Sequence, residues 1–207
     1  MEYDKEKKEI RTTKILNELD KFTIEFIDIA KKFVDYVIVS GYVAILLGRT
    51  RASEDVDLLI PQMKKETFVD LWEKLKSEGF ECLNTTNIDG AFSMLDEHAI
   101  RFAKGLPIPN IEFKIIKTDL DKHALDNKLK VILDDYFLYV SPIELQIACK
   151  LYLGSQKDLE DAKHLHDIFK DKINKGELLD FIKELDVKDR FDLMEEYGDT
   201  YRFRDVG

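Results

Sequence analysis

The sequence predicts an α/β (α+β) fold, with a mixed β-sheet core flanked by helices and a helical C-terminal part. Three observations carry this. Short apolar runs alternate with amphipathic helical stretches up to residue 141. Helical periodicity alone continues from Pro142 onward. Residues 37–60 read as strand, glycine turn, short helix, basic loop and second strand.

The elements follow in order. Residues 4–34 are predicted helical, because Ile15, Leu16, Leu19, Phe22, Phe26, Ile29, Ala30 and Phe33 recur at helical spacing. Such an apolar face packs on its own core or on a second subunit, so an oligomer stays open. Residues 36–40 form the first strand. Gly41 supplies the turn, and 42–47 a short helix that ends at Gly48. Residues 55–60 form the second strand, stopped by Pro61. An amphipathic helix spans 64–77, with Phe68, Leu71, Trp72 and Leu75 on one side and Gly79 as its cap. Residues 91–95 and 99–103 read as a hairpin around Asp96-Glu97-His98. Strands follow at 111–116, 130–133 and 137–140, and helices at 142–153, 156–170 and 176–197. The expected organisation is an N-terminal helical segment (1–34), a catalytic core (35–141) and a helical C-terminal part (142–207). The tail from Tyr201 to Gly207 and the acidic Glu195-Glu196 read as surface.

The 207 residues suffice for one large domain or two small ones. A formal net charge of −10 argues against broad nucleic-acid binding through phosphate contacts. A local basic patch of Arg49, Arg51, Lys114 and Lys117 remains compatible with it. No apolar run reaches membrane-spanning length, and the charged N-terminus is not a signal peptide. A cytoplasmic location without a membrane partner is the expectation. Cys82 and Cys149 form no CxxC or metal pattern and read as buried, reduced thiols. The four histidines lack ligand spacing. No phosphate-binding Gly-x-x-x-x-Gly-Lys, Gly-x-Ser-x-Gly or His-Glu-x-x-His pattern occurs.

The chemistry concentrates at Asp55 and Asp57. Two residues apart on a strand, they share a face, while Val56, Leu58, Leu59 and Ile60 are apolar. Like charges beside a core need a counter-charge. A divalent cation is the simplest, and hard oxygen ligands favour magnesium or manganese. The bland alternative is a pair of strand-end carboxylates that accept hydrogen bonds. A two-metal site wants a third carboxylate from a neighbouring strand. Glu112, in the apolar run Asn-Ile-Glu-Phe-Lys-Ile-Ile, is the candidate, with a Glu112–Arg ion pair as its alternative. Gly41 would let backbone amides approach a triphosphate, or simply make a turn. Arg49 and Arg51 would grip phosphate or form salt bridges in the loop.

Gly41, Gly48, Arg51, Ser53, Asp55 and Asp57 together resemble the nucleotidyltransferase superfamily, the polymerase-beta-like fold, in its minimal and abortive-infection-type members. Tyr42 departs from that pattern, which has a small residue there; it either stacks on a base or fills space. Residues 141–162 resemble the C-terminal helices of the same family, with Lys150, Asp158 and Asp161 at the matching positions. The resemblance implies metal-dependent transfer of a nucleoside monophosphate from a nucleoside triphosphate to a hydroxyl. Asp55, Asp57 and Glu112 would be catalytic and metal-binding. Gly41, Tyr42, Arg49, Arg51, Ser53, Lys150 and Asp158 would contact the nucleotide. The acceptor is open among RNA, protein and small molecule. The alternatives are a toxin of a toxin–antitoxin pair, with an antitoxin partner, and a noncatalytic nucleotide-binding module.

Overall fold

The computed structural model describes residues 1–197; the tail from Tyr201 to Gly207 lies outside them. Among the described residues nine strands form one mixed sheet, in the order β1-β2-β8-β9-β3-β4-β7-β6-β5. In chain order these are β1 (Glu2–Asp4), β2 (Glu9–Thr12), β3 (Val37–Val39), β4 (Asp55–Ile60), β5 (Phe80–Cys82), β6 (Ile100–Lys104), β7 (Leu106–Ile115), β8 (Leu129–Leu133) and β9 (Tyr136–Val140). The helices are α1 (Glu18–Ala30), α2 (Gly41–Leu46), α3 (Lys65–Ser77), α4 (Ile88–Leu95), α5 (Asp119–Asp126), α6 (Ile143–Leu153), α7 (Gln156–Phe169), α8 (Lys175–Glu184) and α9 (Lys188–Tyr197).

β4 is central. It pairs antiparallel with β3 and parallel with β7, so the acidic strand is held on both edges. Its backbone polar groups are thereby satisfied inside the sheet. Beneath β7 lies an aromatic cluster. Phe26 of α1 meets the rings of Phe80, Phe102 and Phe113 at centroid distances of 5.3 to 6.2 Å. The apolar face of α1 is thus covered by the chain's own core. Edge-to-face contacts of this kind add stability beyond area burial.

Three expectations are corrected. Residues 4–34 are not one helical stretch: β1 and β2 occupy the start, and Ile10, fully buried, pairs opposite Val131 of β8. One apolar residue between charged neighbours gives a strand no periodicity to read. The helix itself begins at a capping box, where Asn17 accepts from the Asp20 amide and the Asp20 carboxylate accepts from the Asn17 amide. Residues 91–95 belong to α4 rather than a hairpin. Ala91 and Leu95 are fully buried one turn apart, and Asn87 caps the helix. The stretch 176–197 is two helices, α8 and α9, separated where Asp186 takes a left-handed φ of 53°. The sequence reading also passed over α5, whose capping box is formed by Thr118 and Asp121.

Candidate active site

Parallel register brings the acidic residues together. Asp57 is paired with Glu112, and Asp55 with Asn110, so all four project from one sheet face. Leu59 with Lys114, and Val39 opposite Asp57, extend that face. Across it run α5 and α6. Between sheet and helices lies a cleft of about 270 Å³, lined by Ser40, Asp57, Lys114, Asp121, Ser141, Gln146 and Lys150 among apolar neighbours. Leu145, Gln146, Cys149, Lys150 and Leu153 recur along one side of α6, which explains how one helix supplies a third of the wall.

One cation already sits between two of the carboxylates. The Lys114 ammonium is 2.6 Å from Glu112 Oε2 and also bonds Asp57 Oδ1. Arg101, opposite Glu112 on β6, donates through Nε to Glu112 Oε1 at 2.8 Å. The Glu112–Arg alternative is therefore present in this structure. Burial opposes ionisation of Glu112, yet the hydrogen bonds from Lys114 and Arg101 outweigh it and hold the carboxyl below the usual glutamate range. Asp57 goes the other way. Burial pushes its carboxyl up, assisted by the charges of Glu112 and Asp55, and Lys114 compensates only in part. Asp55 turns to its own loop, where Ser53 Oγ approaches Oδ1 at 3.4 Å.

Asp57 and Glu112 offer hard oxygens, the donor type that magnesium and manganese take, around the place held by the Lys114 ammonium. Among the described residues, no group of three acidic, histidine or cysteine side chains converges closely enough to hold a metal by itself. Asp55 would have to leave Ser53 to complete such a set.

The second constellation is a buried charge cluster around Asp161, which is fully buried. Arg51 grips it through Nε at 3.0 Å and Nη2 at 2.8 Å. Lys150 Nζ lies 3.3 Å from Asp161 and 2.6 Å from Asp158. Arg49 bonds Glu160 and lies 3.6 Å from Asp161. Burial works against the Asp158 charge, but Lys150 and Ser155 hold its carboxyl below the usual range. Gly41 has a structural reason to lack a side chain: a Cβ there would sit 2.5 Å from Arg51 Nη2.

Of the residues singled out from sequence, Asp57, Lys114 and Lys150 line the cleft. Arg49, Arg51, Asp158 and Asp161 form the cluster behind it. Tyr42 does not line the cleft. It is fully buried, and its hydroxyl donates to Asp20 Oδ1 at 2.8 Å. Lys117 is likewise apart, donating to the Glu97 carbonyl. Cys82 and Cys149 are free but half-buried rather than buried. Burial pushes the Cys149 thiol up to about 11, so it stays protonated at neutral pH. Sequence reasoning missed Ser40, Ser141 and Gln146. Ser40 carries no signal in its identity, because glycine is the residue its backbone favours: φ is 64° and ψ −136°.

No family model matches the chain, and no curated protein matches it either. Solved structures do. An antigenic nucleotidyltransferase-like protein from Paracoccidioides brasiliensis superposes with a TM-score of 0.52 at 18% identity, over 84% of this chain and 89% of that one. The antibiotic-resistance factor ANT(2'')-Ia gives 0.48 at 11% identity, over 89% and 100%. The first of these, with the mixed sheet, its acidic central strand and the C-terminal helices, shows that the chain has a nucleotidyltransferase-like fold.

Proposed function

We propose that the chain transfers a nucleoside monophosphate from a nucleoside triphosphate to a hydroxyl acceptor, with a divalent metal. The observation that carries the reading is the convergence of Asp57 and Glu112, from adjacent strands, on one cation position beside the cleft. Asp57 and Glu112, joined by Asp55, would hold magnesium or manganese. When bound, the metal would neutralise charge on the triphosphate and lower the pKa of the attacking hydroxyl. Lys114 holds the carboxylates in register without it and offers its ammonium to phosphate when released from them. Lys150 adds a second ammonium on the opposite wall, fixed by Asp158 and Asp161. Arg51 and Gly41 act one layer back by anchoring α2 to α7 through Asp161. The stretch 35–141 would then supply the carboxylates, and the helices from Pro142 onward the far wall.

One observation favours a second reading, a nucleotide-binding module without turnover. Lys114 and Arg101 already neutralise Glu112, so the carboxylates have partners without a metal. Label transfer separates the two. Wild-type protein with magnesium or manganese should move label from α-labelled but not γ-labelled triphosphates into an acceptor of a cell extract, and Asp57→Asn should lose at least about 100-fold of that rate. The labelled fraction (RNA, protein or small molecule) names the acceptor class, and label in RNA or protein would support the toxin variant. Triphosphate binding with no label in any fraction would leave the module.

A further inference from the structure

Gln146 is 3% exposed on α6, yet it lines the cleft. Its amide nitrogen donates to Ser141 Oγ. Its carbonyl oxygen is sealed from solvent and has no hydrogen-bond partner among the described residues. Buried amide oxygens are nearly always paired, so an orphan on a cleft wall points to a donor that arrives from outside the chain. Leu120, Ala124 and Leu145 supply apolar wall, with Leu153, 58% exposed, at the lip; Asp121, whose carboxylate accepts from the Lys117 and Thr118 amides, is also in the lining. Ser40, Asp57 and Lys114 line the same cleft and supply its polar and charged portion. A largely apolar stretch of wall that carries an unpartnered amide oxygen, continuous with a phosphate-compatible polar portion, matches a nucleotide laid along the cleft.

We propose that this part of the cleft is the nucleobase subsite and that Gln146 accepts a hydrogen bond from an exocyclic amino group of the base. The inference rests on the nucleotidyl-transfer reading above. The last torsion of a glutamine side chain is broad and shallow, so a small turn presents the oxygen to the cleft. The Ser141 hydroxyl is free to rotate and can stay bonded to the amide as it turns. The site then favours bases that carry an amino donor over those with an oxo group in its place.

Two pairs of triphosphates exchange that amino donor for an oxo acceptor, with a proton gained on the adjacent ring nitrogen: ATP against inosine triphosphate, and CTP against UTP. Binding of each to the full chain is measured by calorimetry with magnesium. The expected result is about tenfold or greater preference for the amino member in at least one pair. Gln146→Leu, close in volume and without polar atoms, should keep triphosphate binding and reduce that preference to about onefold. Equal binding within both pairs of the wild type overturns the assignment, whether or not the variant folds. So does preference for the oxo member, or a preference that survives Gln146→Leu. Absence of binding by all four triphosphates overturns the nucleotide reading itself, and the assignment with it.

Discussion

Ser40 sits where β3 hands over to α2, with φ of 64° and ψ of −136°. That region is close to glycine-only and costs a serine about 1–3 kcal/mol. Glycine relieves the strain and gives back part of the gain as unfolded-chain entropy. Ser40→Gly should therefore stabilise the fold by about 1 kcal/mol, read as a higher urea midpoint with an unchanged slope. Asp158 makes a pH prediction. Its folded pKa lies below the ordinary 3.8, so the unfolded chain takes up this proton first as pH falls. Its contribution is complete above that ordinary value and disappears as pH drops through the lowered folded one. Asp158→Asn should flatten the stability curve on this acid limb and leave its shape near neutrality unchanged. Urea titrations between about pH 5 and 2 check this. The same scale shows what the sequence conveys about the site. The Asp-x-Asp pattern was legible, because two carboxylates in an apolar strand are chemically conspicuous. Gln146 was not, because its interest lies in an oxygen left without a partner, which only the packing of α6 against Ser141 reveals.

At the scale of elements, α2 is held by charge as well as by packing. Its residues Tyr42 to Leu46 are buried, and Arg51 follows in the loop to pair with Asp161 of α7 across the missing side chain of Gly41. A methyl group at Gly41 pushes the guanidinium off the carboxylate. Arg51→Ala should cost about 2 kcal/mol, the range of a hydrogen bond to a charged group, and Gly41→Ala no more than that, because its methyl meets the movable end of Arg51. The double variant should cost much less than the sum, because both changes remove one contact. Additive losses in a double-mutant cycle would contradict the arrangement. Element by element, strong periodicity was readable. The apolar rows of α1 and α3 and the short strands β3, β4, β8 and β9 fall close to where the spacing puts them. β1 and β2 were not readable, because a four-residue strand with one buried side chain forms only when β8 is there to pair with it. The helix α4 was misread for a related reason. Its eight residues give two turns, too few for period 3.6 to separate from a strand.

For the whole molecule, the sheet order places the chemistry. β4 and β7 are far apart in sequence and adjacent in space, and their parallel register alone sets Asp57 beside Glu112. Sequence offers both carboxylates and Lys114, but neither the registration of the two strands nor the place of the lysine between Asp57 and Glu112. A net charge of −10 leaves the molecule acidic overall. Five of its 32 lysines and arginines nonetheless stand at the cleft and behind it: Lys114, Arg101, Lys150 and the two loop arginines. On the proposed function, the position held by Lys114 is taken by a metal in the working state. The most direct measurement is a manganese anomalous difference map from crystals grown with a non-hydrolysable α,β-methylene nucleoside triphosphate. The expected result is a peak bounded by the Asp57 and Glu112 carboxylates, with the Lys114 ammonium turned away from them. A triphosphate bound in the cleft with no manganese there, and Lys114 still bridging both carboxylates, would contradict it.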